Sequence, residues 1–208
     1  MDNTMYPQIM DVEQRIDYCI AKYCFPKYVK PVWMDGWSQN GPMKRDLLNR
    51  IIRKFSLNVA EKDLVTAYRA CKTNLLLHRE ASEFLLIVRK KGIKQFVITN
   101  GIPKVQMIKA NSLHLDGLVD EIVVATEAFA KPCDYWFRAL LRKYRLCAGE
   151  CLSVGDWYAV DGVASSAAGI FFVYMDGGPV VEDLPSWVPR VSRLSELSRY
   201  LKTSEVRS

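Results

Sequence analysis

Residues 150–178 read ECLSVGDWYAVDGVASSAAGIFFVYMDGG, and this stretch decides the fold. Its two ends, 150–156 and 170–176, are short apolar runs of the kind that form buried strands. Between them, 159–168 is predicted to be a helix that Gly169 closes. A strand, a helix and a second strand joined by short loops form a parallel βαβ unit. The stretch therefore predicts an α/β fold with a parallel sheet.

The same alternation of helices and strands extends towards the N-terminus as far as residue 80. Further helices are predicted over 80–91, 103–113, 134–144 and near 195–201, and further strands over 93–100 and 121–126. Gly92 suits the position after a helix, and Pro103 suits the first turn of one. Short loops imply helices on both faces of the sheet and right-handed crossovers. Ligands bind at the carboxyl ends of such strands, so the residues that follow each strand are the candidate site.

Residues 11–74 differ, because their apolar residues recur at helical spacing with no strand between them. Three helices are predicted, which bury Val12, Ile16, Cys19, Ile20 and Tyr23, then Leu47, Leu48, Ile51, Ile52 and Phe55, and then Leu64, Tyr68 and Cys71. Asn58 and Glu61 have the spacing of an N-terminal capping pair for the third helix. Pro26 and Pro31 are expected to end the first helix and to open a loop that contains Trp33, Met34 and Trp37. The segment predicts a small all-helical unit.

Composition narrows the class of protein. The 208 residues include 29 Lys and Arg and 23 Asp and Glu, a net charge of +6 that favours anionic partners. The basic residues are spread along the chain, which argues against nucleic acid as a partner.

No apolar run approaches the roughly 20 residues that span a bilayer, and no secretory signal pattern is present. The six cysteines form no CxxC pair, so we expect thiols in a reducing cytoplasm. The sequence does not indicate an oligomeric state.

Polar residues follow the predicted strands. Thr99, Asn100 and Gly101 end the strand over 93–100, where a hydroxyl, an amide and backbone N–H groups suit a phosphate oxygen, although a simple turn explains them too. Lys131 follows the next strand and can neutralise a phosphate, although most lone lysines are surface residues. Asp156 ends the strand over 150–156, and Asp161 follows it. Two carboxylates at this place suit Mg²⁺, which takes oxygen ligands, although Asp161 also suits a helix N-terminus.

The order of these residues is more specific than any one of them. Thr-Asn-Gly, then Lys-Pro, then Gly-Asp-x-x-x-x-Asp resembles motifs two, three and four of the haloacid dehalogenase superfamily. The sequence around these motifs also resembles the family, as in GIKQFVITNG at 92–101 and LDGLVDEIVVATEAFAKPCDYWFRALL at 115–141. The resemblance covers roughly residues 80–178. It implies a Rossmann-like, three-layer α/β/α core domain over 1–10 and 80–208, and a C1-type helical cap domain over 11–79.

The N-terminus resembles part of the first motif of that family, Asp-x-Asp-x-Thr. Residues 2–7 read DNTMYP, similar to the end of this motif in pyrimidine 5'-nucleotidase-like members. The chain as a whole most resembles these and phosphoglycolate-phosphatase-like members. In this register Asp2 is the second aspartate of the motif and Thr4 is its threonine. The first aspartate, which is the nucleophile, would stand one place before Met1. Taken without the later motifs, Asp2-Asn3-Thr4 reads equally as an arbitrary polar terminus.

The resemblance implies roles for these residues. Mg²⁺ would be held by Asp156 and the backbone carbonyl of Asp2, and Asp161 would support the metal site either as a ligand itself or by bonding to the ligands. The Asp2 carboxyl would be the general acid and then the general base. Thr99 and Lys131 would hold phosphoryl oxygens, helped by Thr4, Asn100 and Gly101. True dehalogenases lack a carboxyl at the place of Asp2, so the resemblance favours a phosphatase. Trp157 and Val160 depart from the family, which more often has a small polar residue and an asparagine at these places.

We therefore expect a Mg²⁺-dependent phosphatase that acts on a small phosphorylated metabolite, such as a nucleoside monophosphate, through an aspartyl-phosphate. The alternative is a non-catalytic member that binds a phosphorylated ligand or a protein. The missing nucleophile has two explanations: a natural chain that starts further upstream, which we favour, or a degenerate protein. Either way, the expectation is that these 208 residues have negligible phosphatase activity.

Overall fold

The computed structural model describes residues 1–40, 45–177 and 184–201. Its helices are α1 (Gln8–Lys22), α2 (Val29–Asn40), α3 (Arg45–Lys54), α4 (Glu61–Ala70), α5 (Arg79–Lys90), α6 (Pro103–Ser112), α7 (Tyr135–Tyr144) and α8 (Val163–Ala167). Its strands are β1 (Phe96–Asn100), β2 (Glu121–Ala125), β3 (Leu152–Gly155), β4 (Phe171–Met175) and β5 (Arg190–Val191). Two parts of the predicted core domain, 178–183 and 202–208, lie outside the described residues. None of the helices in the described part of the chain is both long and apolar enough to cross a membrane.

The chain divides into two compact units. The helical unit comprises Pro7–Leu76 and Lys104–Leu113, and the sheet unit comprises Met1–Tyr6, Leu77–Pro103 and, as far as it is described, His114–Ser208. These bounds differ from the predicted ones mainly at α6, which was expected in the core domain. The helix belongs to the helical unit because the buried Lys109 ammonium pairs with Asp11 of α1.

The described part of Pro7–Leu76 contains four helices, one more than the sequence predicted there. The loop expected around Trp33 is helix α2, and Trp33 itself is 1% exposed in the unit's apolar core. Pro31 is compatible with α2 because it is the third residue of the helix, where the N–H has no helical acceptor. The predicted capping pair is wrong as well: α4 follows Ala60, and no side chain caps it.

The sheet unit confirms the parallel α/β prediction, but its described strands form two sheets and not one. β1 pairs in parallel with β2, from Phe96 opposite Glu121 to Asn100 opposite Ala125. β3, β4 and β5 form the second parallel sheet in that order. The short β5 was not predicted. Thr99 and Asn100 form the carboxyl end of β1, and Lys131 and Asp156 follow β2 and β3, as the sequence pattern indicated.

Two predicted helices of the sheet unit have a different form. The helix expected over 159–168 begins with a π-helical turn, Tyr158–Gly162, and continues as α8. The last predicted helix is a 3₁₀ segment, Leu194–Tyr200. A π-helical turn carries one extra residue in the turn and often marks a functional site. Here it contains Asp161.

Candidate active site

The N-terminal residues lie beside the end of β3. The Asn3 side-chain amide donates to Asp156 Oδ2 at 3.3 Å, and the Thr4 hydroxyl donates to Asp156 Oδ1 at 3.3 Å. Thr4 is buried, and Asn3 has a left-handed backbone with φ of 52°, which asparagine tolerates better than most residues. The structure thus brings together the first and the last of the four polar clusters.

Lys131 and Asp161 form a second close group. The Lys131 ammonium forms an ion pair with the Asp161 carboxylate, and the two side chains are 11% and 12% exposed. The ammonium also donates to the main-chain oxygen of Ile98 at 2.8 Å. The lysine that follows β2 is therefore a partly buried cation with a defined direction, and not a surface residue.

The main-chain oxygen of Ile98 lies on the side of β1 that faces away from β2. The Gly101 N–H donates to Ala125 O of β2, and main-chain groups alternate in direction along a strand. Ile98, an odd number of residues away from Gly101, therefore points to the opposite edge. A main-chain acceptor at such an edge needs a partner, and Lys131 supplies one.

Asp161 can lie close to β3 because Gly155 has no side chain. A Cβ atom added to Gly155 would lie 2.5 Å from Asp161 Oδ2 and 2.7 Å from its Cγ. These distances are shorter than van der Waals contact, so only glycine leaves room for the carboxylate there. The π-helical turn and the glycine together set where Asp161 meets Lys131.

The three residues at the end of β1 have different surroundings. Thr99 is 5% exposed. The Asn100 side chain contacts Lys131: its Nδ2 donates to Lys131 O at 2.8 Å, and its Oδ1 accepts from Lys131 N at 2.9 Å. The Gly101 N–H extends the hydrogen bonding of β1 to β2, at Ala125 O.

Asp2 is oriented by its own segment. Its carboxylate accepts a hydrogen bond from the hydroxyl of Tyr6, which is fully buried. Its main-chain oxygen accepts from Thr4 N at 2.7 Å. The carboxyl that the family resemblance assigns to proton transfer is thus held in a fixed direction by a neighbouring hydroxyl.

The electrostatics place the acidic residues close to one another. Burial raises the pKa of Asp156, and the nearby Asp161 carboxylate raises it further. The Met1 ammonium and the Asn3 amide act in the opposite direction. The Met1 amino group lies near Lys131, Asp2, Asp161 and Asp156, and its own pKa is lowered chiefly by burial. Residues of the N-terminal, Lys131 and Asp156–Asp161 clusters therefore lie in one charged region of the sheet unit, and Asn100 joins the fourth cluster to it through Lys131.

The donors in this region suit Mg²⁺ in kind. The carboxylates of Asp156 and Asp161 and the main-chain oxygen of Asp2 are hard oxygen ligands. A cation would offset the burial that chiefly raises the pKa of Asp156 and its repulsion from Asp161. In the described ranges, no group of three or more His, Cys, Asp or Glu side chains is placed to hold a metal. The candidate donors are two carboxylates and one main-chain oxygen, and water and substrate would have to complete the coordination of Mg²⁺.

Sequence reasoning gave no role to three residues of this region. Asn3 and Tyr6 lie within the DNTMYP stretch, and Gly155 precedes Asp156. A signal existed for Gly155, because glycine in a strand often marks a close approach. The sequence carries no local signal for Asn3 or Tyr6, since their partners are fixed only by folding.

A curated protein and a family profile both match this chain. The profile of the haloacid dehalogenase-like hydrolase family matches residues 3–175. A phosphoserine phosphatase of Thermus thermophilus is 28% identical over 125 residues, which are 59% of this chain and 49% of that protein. The alignment thus spans about half the length of this relative.

Solved structures share the fold. The HAD-hydrolase YfnB of Bacillus subtilis, bound to magnesium, superposes with a TM-score of 0.71 at 19% identity, over 97% of this chain and 96% of that one. A subfamily IA hydrolase of the HAD superfamily from Geobacter sulfurreducens gives a TM-score of 0.70 at 18% identity, over 97% and 93%. At this identity the likeness shows the fold alone. With the profile match over most of the chain, it establishes that the protein belongs to the haloacid dehalogenase-like hydrolase family.

Proposed function

We propose that this hydrolase is a Mg²⁺-dependent phosphatase of small phosphorylated metabolites. The observation that carries the proposal is the meeting of Lys131 and Asp161 with Asp156, Thr4 and Asp2 at the carboxyl ends of the strands. One cation and several oxygen ligands in a partly buried region suit a phosphoryl group together with a divalent metal. The curated relative is a phosphatase, which is consistent with this chemistry.

In this proposal Asp156, Asp161 and the Asp2 main-chain oxygen hold Mg²⁺. The metal, when bound, neutralises phosphate charge and orients the ester. Lys131 and Thr99 hold phosphoryl oxygens, and Thr4 keeps the Asp156 carboxylate in place. These groups need no reorganisation during reaction because hydrogen bonds within the sheet unit already fix them.

The Asp2 carboxyl is proposed to protonate the leaving oxygen and then to accept a proton from the attacking water. Its hydrogen bond from Tyr6 keeps it in one direction. A carboxyl at this place favours phosphatase over dehalogenase chemistry, because dehalogenation needs no proton on the leaving halide. Nucleoside monophosphates, phosphoserine and small sugar or acid phosphates are all proposed as candidate substrates.

In the register of the family's first motif, the position of the nucleophile falls one place before Met1. The test is a pair of extended chains, each with an apolar segment added before Met1. One segment ends in Asp and the other in Asn, and both are assayed on a panel of phosphate esters with Mg²⁺ and with EDTA.

The expected result is turnover by the Asp extension with Mg²⁺ only, and none by the Asn extension. Hydrolysis should fall by at least about 100-fold when Lys131 is changed to Met in the Asp extension, as for loss of a charge-stabilising group. No turnover of any ester by a folded Asp extension would contradict the enzyme proposal. Phosphate binding without turnover would then favour a non-catalytic binding protein.

A further inference from the structure

The side chain of Asn100 contacts Lys131 through the main chain of that lysine. It donates to the main-chain oxygen at 2.8 Å and accepts from the main-chain N–H at 2.9 Å, so both polar groups of the side chain bind the main chain of one residue. The two residues are 31 positions apart in sequence. This arrangement differs from the direct phosphate contact that the sequence predicted for Asn100.

Lys131 needs such a contact because it lies in a loop. The connection between β2 and α7 contains a short 3₁₀ turn, Glu127–Phe129, and no other regular element. A lysine side chain has four rotatable bonds, so its ammonium is directed only if its main chain is fixed. At its far end the ammonium contacts Ile98 O and Asp161.

We infer that Asn100 is a positioning residue for Lys131. Its amide fixes the main chain at the base of the lysine, and Ile98 and Asp161 fix the ammonium at the tip. Asn100 and Ile98 both belong to β1, so one strand holds both ends of the side chain. The importance of this for phosphate binding rests on the proposed function, whereas the positioning itself is independent of it.

The first test measures the protection of the Lys131 ammonium by reductive methylation of the 208-residue chain, read by mass spectrometry. In Asn100→Ala we expect Lys131 to be labelled about tenfold faster, as for a locally opened segment. The buried Lys109 in the helical unit is the internal reference and should stay protected. Asn111→Ala, at an exposed position of α6, is the matched control and should change neither rate.

The second variant is Asn100→Asp, which keeps the size of the side chain. It places two acceptors, the new carboxylate and Lys131 O, opposite each other, so it should also release the loop without leaving a cavity. Faster labelling of Lys131 alone supports the inference. Unchanged labelling of Lys131 in folded Asn100→Ala or Asn100→Asp overturns it, and so does equal acceleration at Lys109.

The second test asks whether Asn100 affects phosphate binding directly or only through Lys131. Binding of inorganic phosphate with Mg²⁺ is measured by calorimetry for the wild type, Asn100→Ala, Lys131→Met and the double variant. Asn100→Ala should weaken binding about tenfold on its own, and should have no further effect once Lys131 is removed.

An equal loss in both backgrounds would make Asn100 a direct phosphate ligand and would overturn the positioning role. If the wild type itself binds no phosphate, the proposed function fails for this chain. The labelling result then still decides the positioning of Lys131.

Discussion

Lys109 Nζ lies 3.3 Å from Asp11 Oδ2, although the two side chains are only 5% and 4% exposed. Asp11 also accepts both hydrogen bonds of Arg15 Nε, at 2.8 and 2.9 Å, and one from the Thr73 hydroxyl. One carboxylate therefore serves two buried cations, one on α1 and one on α6. The cluster therefore joins α6 to α1 within the helical unit.

Removing the charge of Asp11 should be costly. In Asp11→Asn the buried Arg15 and Lys109 cations lose the carboxylate that they share, so we expect the free energy of unfolding to fall by about 3–5 kcal/mol. Urea unfolding measures this. Asp17→Asn is the control on the same helix: Asp17 is half-exposed and pairs with Lys30, so its loss should cost less than about 1 kcal/mol. Equal effects for the two variants would mean that the Asp11 cluster has no special role.

Trp33 is expected to stabilise the helical unit. Its ring is buried and stacks on Tyr68 with centroids 6.2 Å apart. Trp33→Ala should lower the free energy of unfolding by about 3–5 kcal/mol, because a large cavity would remain. Tyr28→Ala, at a ring that is 63% exposed, should cost under about 1 kcal/mol. A small effect of Trp33→Ala would argue against a packing role for this residue.

Gly155 should not accept a side chain. In Gly155→Ala the new methyl meets the Asp161 carboxylate, so either Asp161 or β3 must move. We expect a loss of about 1–3 kcal/mol in thermal or urea unfolding, as for other overpacked sites. Gly149→Ala is the matched control, since nothing lies within 4 Å of the added atom. Gly155→Ala with wild-type stability would show that Asp161 relaxes freely.

The stability of the sheet unit should depend on pH through Asp120. Lys94 and the Gln95 N–H donate hydrogen bonds to this carboxylate and lower its pKa below the ordinary value. Because the pKa is lowered by folding, the stabilisation is fully present at pH values above the ordinary pKa of an aspartate. It is lost as the pH falls through the pKa of Asp120 in the folded protein. At neutral pH, Asp120→Asn should be about 1 kcal/mol less stable than the wild type.

The difference between wild type and Asp120→Asn should disappear in acid, below the lowered pKa. Urea unfolding measured from neutral pH into the acid range follows it. Asp116→Asn, at an exposed position in the preceding 3₁₀ turn, is the control and should show no such convergence. If the two free energies of unfolding differed by the same amount at all pH values, ionisation of Asp120 would not be the cause of the difference.

The sequence predicted the sheet unit well because its signals are local. The apolar runs that became β1 to β4 and the glycine after α5 each depend on residues within one element. The loop predicted around Trp33 was wrong because two prolines were taken as breaks. Pro31 instead occupies the first turn of α2, where proline costs little. The capping pair at Asn58 was wrong because α4 begins after Ala60, and no side chain caps its N-terminus.

The amino-acid sequence alone determined the parallel α/β class, the order of the polar clusters and hence the hydrolase family. These follow from residue spacing along the chain, which the sequence states directly. Only the tertiary structure decided that Asn100 binds the main chain of Lys131, that Lys109 pairs with Asp11 in the helical unit, and that Asn3 and Tyr6 support Asp156 and Asp2. Except for the short Tyr6–Asp2 contact, these pairs join residues distant in sequence. Their geometry arises when burial forces polar groups to find partners, and not from any local pattern.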